Sequence, residues 1–120
     1  MIRAAFIGVD RYEDPEIRDL TGAVRDATAL WAVMSDSIDG LSASLLTDGE
    51  ASLAAVTRAL DETLGAAAED DVVLLSFAGH GTPDHRLVVA DSRACDLPGT
   101  TLDMGNLAER FRKTRARAVL

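Results

Sequence analysis

The fold class of this sequence is decided by residues 72–81, which read VVLLSFAGHG. Its first six residues are apolar except for one serine and are of strand length, a pattern typical of a strand buried on both faces of a parallel sheet. The AGHG that follows is too rich in glycine to extend the strand, so the chain turns there. Functional groups of open α/β sheets collect just beyond the carboxyl ends of the strands, where His80 stands. The stretch therefore predicts a buried strand that delivers a histidine to the functional edge.

The residues before this stretch repeat the alternation of strand and helix. A second apolar run covers residues 2–9, and the periodicity predicts helices over 22–36 and about 53–67 with a short strand at 43–47 between them. The resulting β-α-β-α-β order predicts an α/β fold of Rossmann-like type, a mostly parallel sheet with helices on both faces. Because two crossover helices connect its strands, we expect the 2–9 strand to lie between the other two.

The residues after this stretch predict smaller elements and an incomplete sheet. We expect a β-ribbon at 86–90, a loop over 91–101 that contains Pro98-Gly99, and a helix over 103–113 capped by Asp103. Residues 116–120 look like the opening of a fourth parallel strand, and a strand typically needs five or six residues. We therefore expect the 120 residues to be the N-terminal part of one domain, truncated in its fourth core strand.

The composition bounds the class of protein. A chain of 120 residues with 48% hydrophobic and 27% charged residues fits one globular domain and not a disordered tail. Its formal charge of −8 disfavours nucleic acid as a partner, and no apolar run predicts a membrane span. A single cysteine, Cys95, closes no intrachain disulfide, and no leader segment is evident, so we expect a cytoplasmic location.

Three ordered motifs resemble the caspase and metacaspase superfamily of cysteine peptidases, most closely its bacterial caspase-like domains. Residues 74–81 (LLSFAGHG) resemble the histidine motif of that superfamily. Residues 20–27 (LTGAVRDA) are similar to the Leu-x-Gly-x-x-x-Asp-Ala stretch that opens its first helix, and residues 5–12 (AFIGVDRY) look like its first strand and following loop. The three matches cover nearly the whole chain in the order of the superfamily.

The resemblance implies a Cys-His dyad that hydrolyses peptide bonds. In it His80 is the general base for a cysteine thiolate, Gly81 stands beside it in the catalytic site, and no cofactor or metal takes part. Gly79 and Gly81 are expected to permit a tight turn and to let a substrate backbone approach the imidazole. The cysteine of such enzymes follows the histidine by about fifty residues, which places it beyond Leu120. We therefore expect this chain alone to be inactive.

Asp26 is the candidate substrate-binding residue. It matches the aspartate that in metacaspases helps to line an acidic S1 pocket for Arg or Lys at P1, although the helix dipole alone would also favour an aspartate in a first helical turn. Caspases place an S1 arginine where this chain has Leu20, which argues against a pocket specific for aspartate. Metacaspases commonly have a further S1 serine where this chain has Ala78, so the match to a basic pocket is also incomplete.

Other chemistry is less well supported by the sequence. Cys95 lies in an acidic loop and not after a core strand, so an incidental thiol is favoured over a substitute nucleophile. The spacing of Asp84, His85, Asp91 and Cys95 relative to His80 fits no tight metal-ligand pattern. Residues 70–71, both aspartates, are most simply a solvated turn at the opposite end of the sheet.

The functional alternatives are two. A catalytically inactive caspase-like interaction module would keep the fold and lose the dyad. A receiver or nucleotide-binding domain would share the layout, but no Gly-x-Gly-x-x-Gly or Gly-x-x-x-x-Gly-Lys run is present. For the peptidase, the expected partners are a polypeptide substrate, the remainder of the domain, and fused or associated sensor and effector modules of a bacterial signalling or defence system.

Overall fold

The computed structural model describes all 120 residues and is built on one four-stranded parallel sheet. The strands are β1 (Ile2–Gly8), β2 (Ser42–Thr47), β3 (Val72–Ala78) and β6 (Ala118–Val119), in the order β2-β1-β3-β6. β1 pairs with β3 from Ile2↔Val72 to Gly8↔Ala78. The predicted α/β fold with β1 between the other two strands is confirmed, and β6 is the expected fourth parallel strand.

Helices α1 (Ala23–Ser37) and α2 (Leu53–Gly65) cover opposite faces of the sheet. Gly8 of β1 packs against Ala23 and Ala27 of α1, whereas Ile7 and Val9 belong to the core cluster that contains Leu60 of α2. Consecutive side chains of a strand point to opposite faces, so the two helices lie on different sides. The larger core is on the α2 side.

The apolar stripe of α1 is buried only in the first half of the helix. Ala23 and Ala27 are its buried residues, while Leu30 and Val33 are 40% and 61% exposed. Helical periodicity marks one side of a helix without revealing how far along the helix the sheet extends.

An antiparallel ribbon and a third long helix complete the chain. β4 (Arg86–Val88) pairs with β5 (Thr101–Asp103), and α4 (Met104–Lys113) follows, with the Asp103 carboxylate accepting a hydrogen bond from Gly105 N at 3.0 Å. The ribbon and the cap are as predicted.

The prediction of an irregular loop over 91–101 is wrong in part. Residues 94–96 form a single 3-10 turn, α3 (Leu97–Thr100) is a short helix, and Thr101 already belongs to β5. Asp96 caps α3 by accepting from Gly99 N at 3.2 Å, and proline is tolerated in a first helical turn. Pro98-Gly99 therefore opens a helical turn in place of the predicted loop.

The prediction of a solvated turn at residues 70–71 is wrong for Asp71. Its carboxylate is buried and accepts from Arg3 Nε and Ala68 N, both at 2.9 Å, and the N-terminal ammonium lies 3.1 Å away. These contacts hold the pKa of Asp71 well below its ordinary value, with the Ala68 N–H as the largest cause. The parallel pairing of β1 with β3 brings Arg3 beside Asp71, which no local pattern indicates.

Candidate active site

His80 lies two residues beyond β3, at the carboxyl edge of the sheet. Its backbone N–H donates to the Tyr12 hydroxyl at 3.0 Å, and its carbonyl accepts from Val88 N at 2.9 Å. The loop after β3 is therefore held from one side by the segment after β1 and from the other by the ribbon. The histidine occupies the edge that the sequence predicted for it.

The imidazole of His80 has two unlike nitrogens. Nε2 lies 2.7 Å from the Arg18 carbonyl oxygen, which can only accept, so Nε2 carries the proton in the neutral ring. Nδ1 makes no hydrogen bond within the chain and is left as the basic nitrogen. In this arrangement Nδ1 is the nitrogen with a free lone pair, which can accept a proton from a neighbouring donor.

Tyr12 is a site residue that the sequence analysis did not single out. Its side chain is buried, and its ring centroid lies 5.2 Å from that of His80 at an interplanar angle of 40°. The hydroxyl also donates to the Val9 carbonyl at 3.2 Å. Burial raises the pKa of Tyr12, and the hydrogen bond from His80 N partly opposes this, so the phenol keeps its proton at neutral pH. The available signal was a tyrosine just after a core strand, at the same sheet edge as the histidine.

Carboxylates shape the loop that presents the Arg18 carbonyl to His80. Asp10 accepts from Ala23 N at 2.8 Å and Val24 N at 3.2 Å, and so caps α1 where Gly22 has no side chain to do so. The Asp48 carboxylate in turn accepts from Asp10 N at 2.9 Å. Asp10 therefore anchors both ends of the loop, because its own carbonyl also accepts from Leu20 N.

The two glycines beside His80 serve different purposes. A Cβ at Gly79 would lie 3.0 Å from the Phe77 ring and 3.2 Å from the Tyr12 hydroxyl, so a side chain there would require these neighbours to shift by a few tenths of an ångström. Gly81 faces Leu87 in an antiparallel bridge, and the hydrogen bonds of this bridge are made by the residues next to them. The N–H of Gly81 donates to no protein group. Neither glycine has positive φ; the tight turn of the ribbon is made at His85, with φ of 64°. The expected role of the two glycines beside the imidazole, permitting a tight turn there and the approach of a substrate backbone, stays a prediction.

Asp26 lies in the first turn of α1 and is not joined to the His80 loop. Its side chain is 71% exposed, and its charged neighbour Arg25 has Nε 3.9 Å from the carboxylate. No hydrogen bond or ion pair connects it with His80 or Gly81. The carboxylate is open to a ligand from solvent.

The remaining candidates do not meet at His80. Cys95 is exposed in the turn at 94–96, which is held by a hydrogen bond from Ala94 N to Asp14 Oδ2 at 2.8 Å, and the thiol makes no contact with the imidazole. No three His, Cys, Asp or Glu side chains are grouped closely enough to hold a metal ion. Asp84, His85, Asp91 and Cys95 therefore form no such group with His80.

An apolar groove of about 270 Å³ runs beside β3 on the α4 side. Leu75, Phe77, Leu107, Phe111 and Leu120 are among its lining residues, and we call it the β3 groove. β6 pairs with β3 only at Val72 and Val73, and the last contact is Leu75 N donating to the Leu120 carbonyl at 2.8 Å. The rest of that edge of β3 has no neighbouring strand.

Comparison with known proteins gives a family match and a fold match. The sequence model described as the caspase domain matches residues 1–114. The crystal structure of protein GSU0716 from Geobacter sulfurreducens is similar, with a TM-score of 0.76 and 19% sequence identity over 98% of this chain and 48% of that one. This chain thus spans about half the length of that protein. No curated protein is similar enough in sequence to count as a match.

No helix is long and apolar enough to cross a membrane.

Proposed function

Because this chain belongs to the caspase domain family, we propose that it supplies the histidine half of a cysteine endopeptidase centre, with His80 as the general base. The observation that carries the proposal is the imidazole itself, held at Nε2 by the Arg18 carbonyl with Nδ1 free. A base needs an unprotonated nitrogen of fixed direction, and this arrangement provides one.

The nucleophile is proposed to be a cysteine on the segment that follows Leu120 in the intact protein. The half-paired edge of β3 and the adjoining β3 groove support this, since a longer β6 would extend along that edge and bring its carboxyl end toward His80. The protein chain in the similar crystal structure is about twice as long as this chain. Cys95, exposed and without contact to His80, is not the nucleophile in this proposal.

The proposed reaction proceeds in two steps through a thioester. Nδ1 of His80 takes the thiol proton, and the thiolate attacks the peptide carbonyl carbon to form a tetrahedral intermediate. The free N–H of Gly81 is the adjacent donor for the developing oxyanion. As the C–N bond breaks, the imidazolium returns its proton to the leaving amine. Water, deprotonated by the same nitrogen, then hydrolyses the thioester and regenerates the thiol.

The charge of the site edge supports a substrate with a basic P1 residue. The loop from residue 10 to 20 carries three aspartates and two glutamates against Arg11 and Arg18, and exposed Asp26 follows it in α1. Such a cluster creates a negative potential that attracts cationic groups. Asp26 as an S1 residue, and a metacaspase-like preference for Arg or Lys, are therefore part of the proposal.

The proposed setting is a bacterial signalling or defence system in the cytoplasm. A lone cysteine is consistent with a reducing compartment. The proposed partners are a polypeptide substrate, the remainder of the domain, and sensor or effector modules fused to it or associated with it. No metal or other cofactor enters the proposed chemistry.

Substitution of the two histidines in the full-length protein tests the proposal. His80→Ala should lower kcat/KM on fluorogenic peptides by about a thousandfold or more, because losing one member of a nucleophile-base pair removes most of the rate enhancement. His85→Asn is the matched control: asparagine tolerates the positive φ at that position, and the activity should be unchanged. Full activity in His80→Ala would overturn the proposal. An inactive wild type with intact peptide binding would favour the alternative, an inactive interaction module.

A further inference from the structure

Tyr12 and His80 are 68 positions apart in the sequence and meet only because β1 and β3 are adjacent strands. Each residue follows its strand within a few positions, so the parallel pairing carries both to the same edge. The Tyr12 side chain is 8% exposed, and its hydroxyl and ring both contact His80. A buried aromatic side chain with both ends engaged has few rotamers open to it.

The hydroxyl of Tyr12 is fixed in both of its hydrogen-bonding roles. It gives its proton to the Val9 carbonyl at 3.2 Å and accepts the His80 backbone N–H at 3.0 Å. Val9 N in turn donates to the Ala78 carbonyl at 2.9 Å. One phenol therefore joins the ends of the two strands and fixes the backbone from which the imidazole extends.

The imidazole of His80 is restrained at three places. Its backbone N–H is held by the Tyr12 hydroxyl, one ring face packs against the phenol ring, and Nε2 is held by the Arg18 carbonyl. Rotation of the ring by half a turn about χ2 would place a carbon where Nε2 now meets the carbonyl, and the tilted phenol limits the space for that rotation. The arrangement favours one orientation and one tautomer.

Gly79 is explained by the same contact. A Cβ there would lie 3.0 Å from the Phe77 ring and 3.2 Å from the Tyr12 hydroxyl, so a side chain would crowd both. Since Gly79 has no positive φ, backbone conformation does not require glycine at this position. The glycine before the histidine leaves room for the Phe77 ring and for the approach of Tyr12.

We propose that Tyr12 is a positioning residue that fixes the orientation of the His80 imidazole and keeps its Nδ1 nitrogen as the unprotonated one. Its catalytic meaning rests on the proposed function, but the positioning itself is measurable without any peptidase activity. Tyr12 touches neither substrate nor reacting atoms and acts only through His80.

Imidazole nitrogen chemical shifts of the 15N-labelled 120-residue chain test the inference, because they report the tautomer directly. In the wild type, His80 should show distinct Nδ1 and Nε2 shifts of a single Nε2–H tautomer at a pH where the ring is neutral. His85, exposed and the only other histidine, should show the averaged shifts of a tautomer mixture and serves as an internal reference. Averaged shifts for His80 in the wild type would overturn the inference at once.

Tyr12→Phe keeps the ring and removes the hydroxyl. We expect the His80 shifts to move toward those of His85 and the His80 amide to exchange with solvent at least about fivefold faster, the loss of one hydrogen bond. Thr63→Val is the control, since it removes a half-buried hydroxyl on α2 that bonds the Ala59 carbonyl and contacts neither ring. It should leave both histidines unchanged.

Unchanged shifts and amide exchange of His80 in a folded Tyr12→Phe variant would overturn the inference, even if its Tm fell, because a merely structural role affects stability alone. Should this variant not fold, Gly79→Ala replaces it, since the added methyl would crowd the Tyr12 hydroxyl, 3.2 Å away, as well as the Phe77 ring. It should move the imidazole nitrogen shifts of His80 in the same direction. Unchanged shifts in this variant would also overturn the inference. Neither result depends on whether the full-length protein hydrolyses peptides.

Discussion

Gly8 is the residue on which the close packing of α1 against the sheet depends. A Cβ at this position would lie 2.7 Å from both the Ala23 carbonyl oxygen and the Ala27 Cβ, distances that real carbon atoms do not adopt. Because the obstructing atoms are helix backbone and a methyl group, no flexible side chain can yield. The contact also sets the position of the first turn of α1, where Asp10 caps the helix and Asp26 is exposed.

Gly8→Ala should destabilise the protein by about 1–3 kcal/mol, the usual cost of forcing a methyl group into a packed contact. The urea midpoint of unfolding measures this. Gly65→Ala is the control, because a Cβ at the end of α2 meets nothing within 4 Å and alanine is the better helix former. Equal midpoints for Gly8→Ala and the wild type would contradict the packing argument.

Asp26 is expected to decide the P1 preference of the full-length enzyme. Peptide-library profiling should give Arg or Lys at P1, and Asp26→Asn should lower kcat/KM for those peptides about tenfold or more by removing a charge-assisted contact. Asp36→Asn, an exposed acid at the other end of α1, should leave the preference intact. A preference for aspartate at P1 would refute the assignment.

At the scale of the elements, β1 and β3 carry the site between them. Their carboxyl ends bring Tyr12 and His80 together, and at their amino ends Asp71 joins Arg3 to the start of β3. Asp71 also accepts from Ala68 N in the turn before β3. A buried carboxylate with these partners stabilises the fold only while it is ionised.

The stability of the fold should therefore fall in acid through Asp71. Because its folded-state pKa is depressed, the contribution of this carboxylate is complete above its ordinary pKa of 3.8 and is lost as the pH falls through the lower folded-state value. Asp71→Asn should lower the urea midpoint at pH 7 and converge on the wild type in strong acid. Asp70→Asn, at the exposed neighbour, is the control. Wild type and Asp71→Asn curves that run parallel down to strong acid would contradict this account.

At the scale of the whole molecule, one edge of the sheet is open beside β3. β3 is paired with β1 along its full length but with β6 at only two residues, and the β3 groove is lined almost entirely by apolar side chains. Covering such a groove removes apolar surface from water. The half-paired edge of β3 and the uncovered β3 groove both support the proposal that the chain continues past Leu120 in the intact protein.

The 120-residue chain should hydrolyse no peptide, since a base without its nucleophile does not form the acyl intermediate. The protein extended beyond Leu120 should be active, and replacing the cysteine of the added segment by serine should abolish that activity. The extended form should also bind less of a hydrophobic dye per chain than the 120-residue form. If the 120-residue chain shows peptidase activity and the His80→Ala variant keeps it, that activity comes from a contaminating enzyme. If the activity is instead lost on substitution of Cys95, the proposal for the nucleophile is overturned.

The sequence by itself determined the long helices, the order of the three longer parallel strands and the edge at which His80 lies, because buried parallel strands leave near-continuous apolar runs and motifs keep their order along the chain. The stretch at 72–81 was sufficient to predict both a buried strand and a histidine at its end. The helix boundaries agreed to within about two residues for the same reason.

Only the tertiary structure decided which distant groups meet. Tyr12 under His80, the Arg18 carbonyl on Nε2, Asp10 as the cap of α1 and Asp71 beside Arg3 all join segments far apart in the chain. Periodicity reports how one segment is buried, whereas these contacts follow from strand register, which depends on how all the elements pack together. A backbone carbonyl carries no residue signature at all, so the contact of the Arg18 carbonyl with Nε2 of His80 could not be predicted from the sequence.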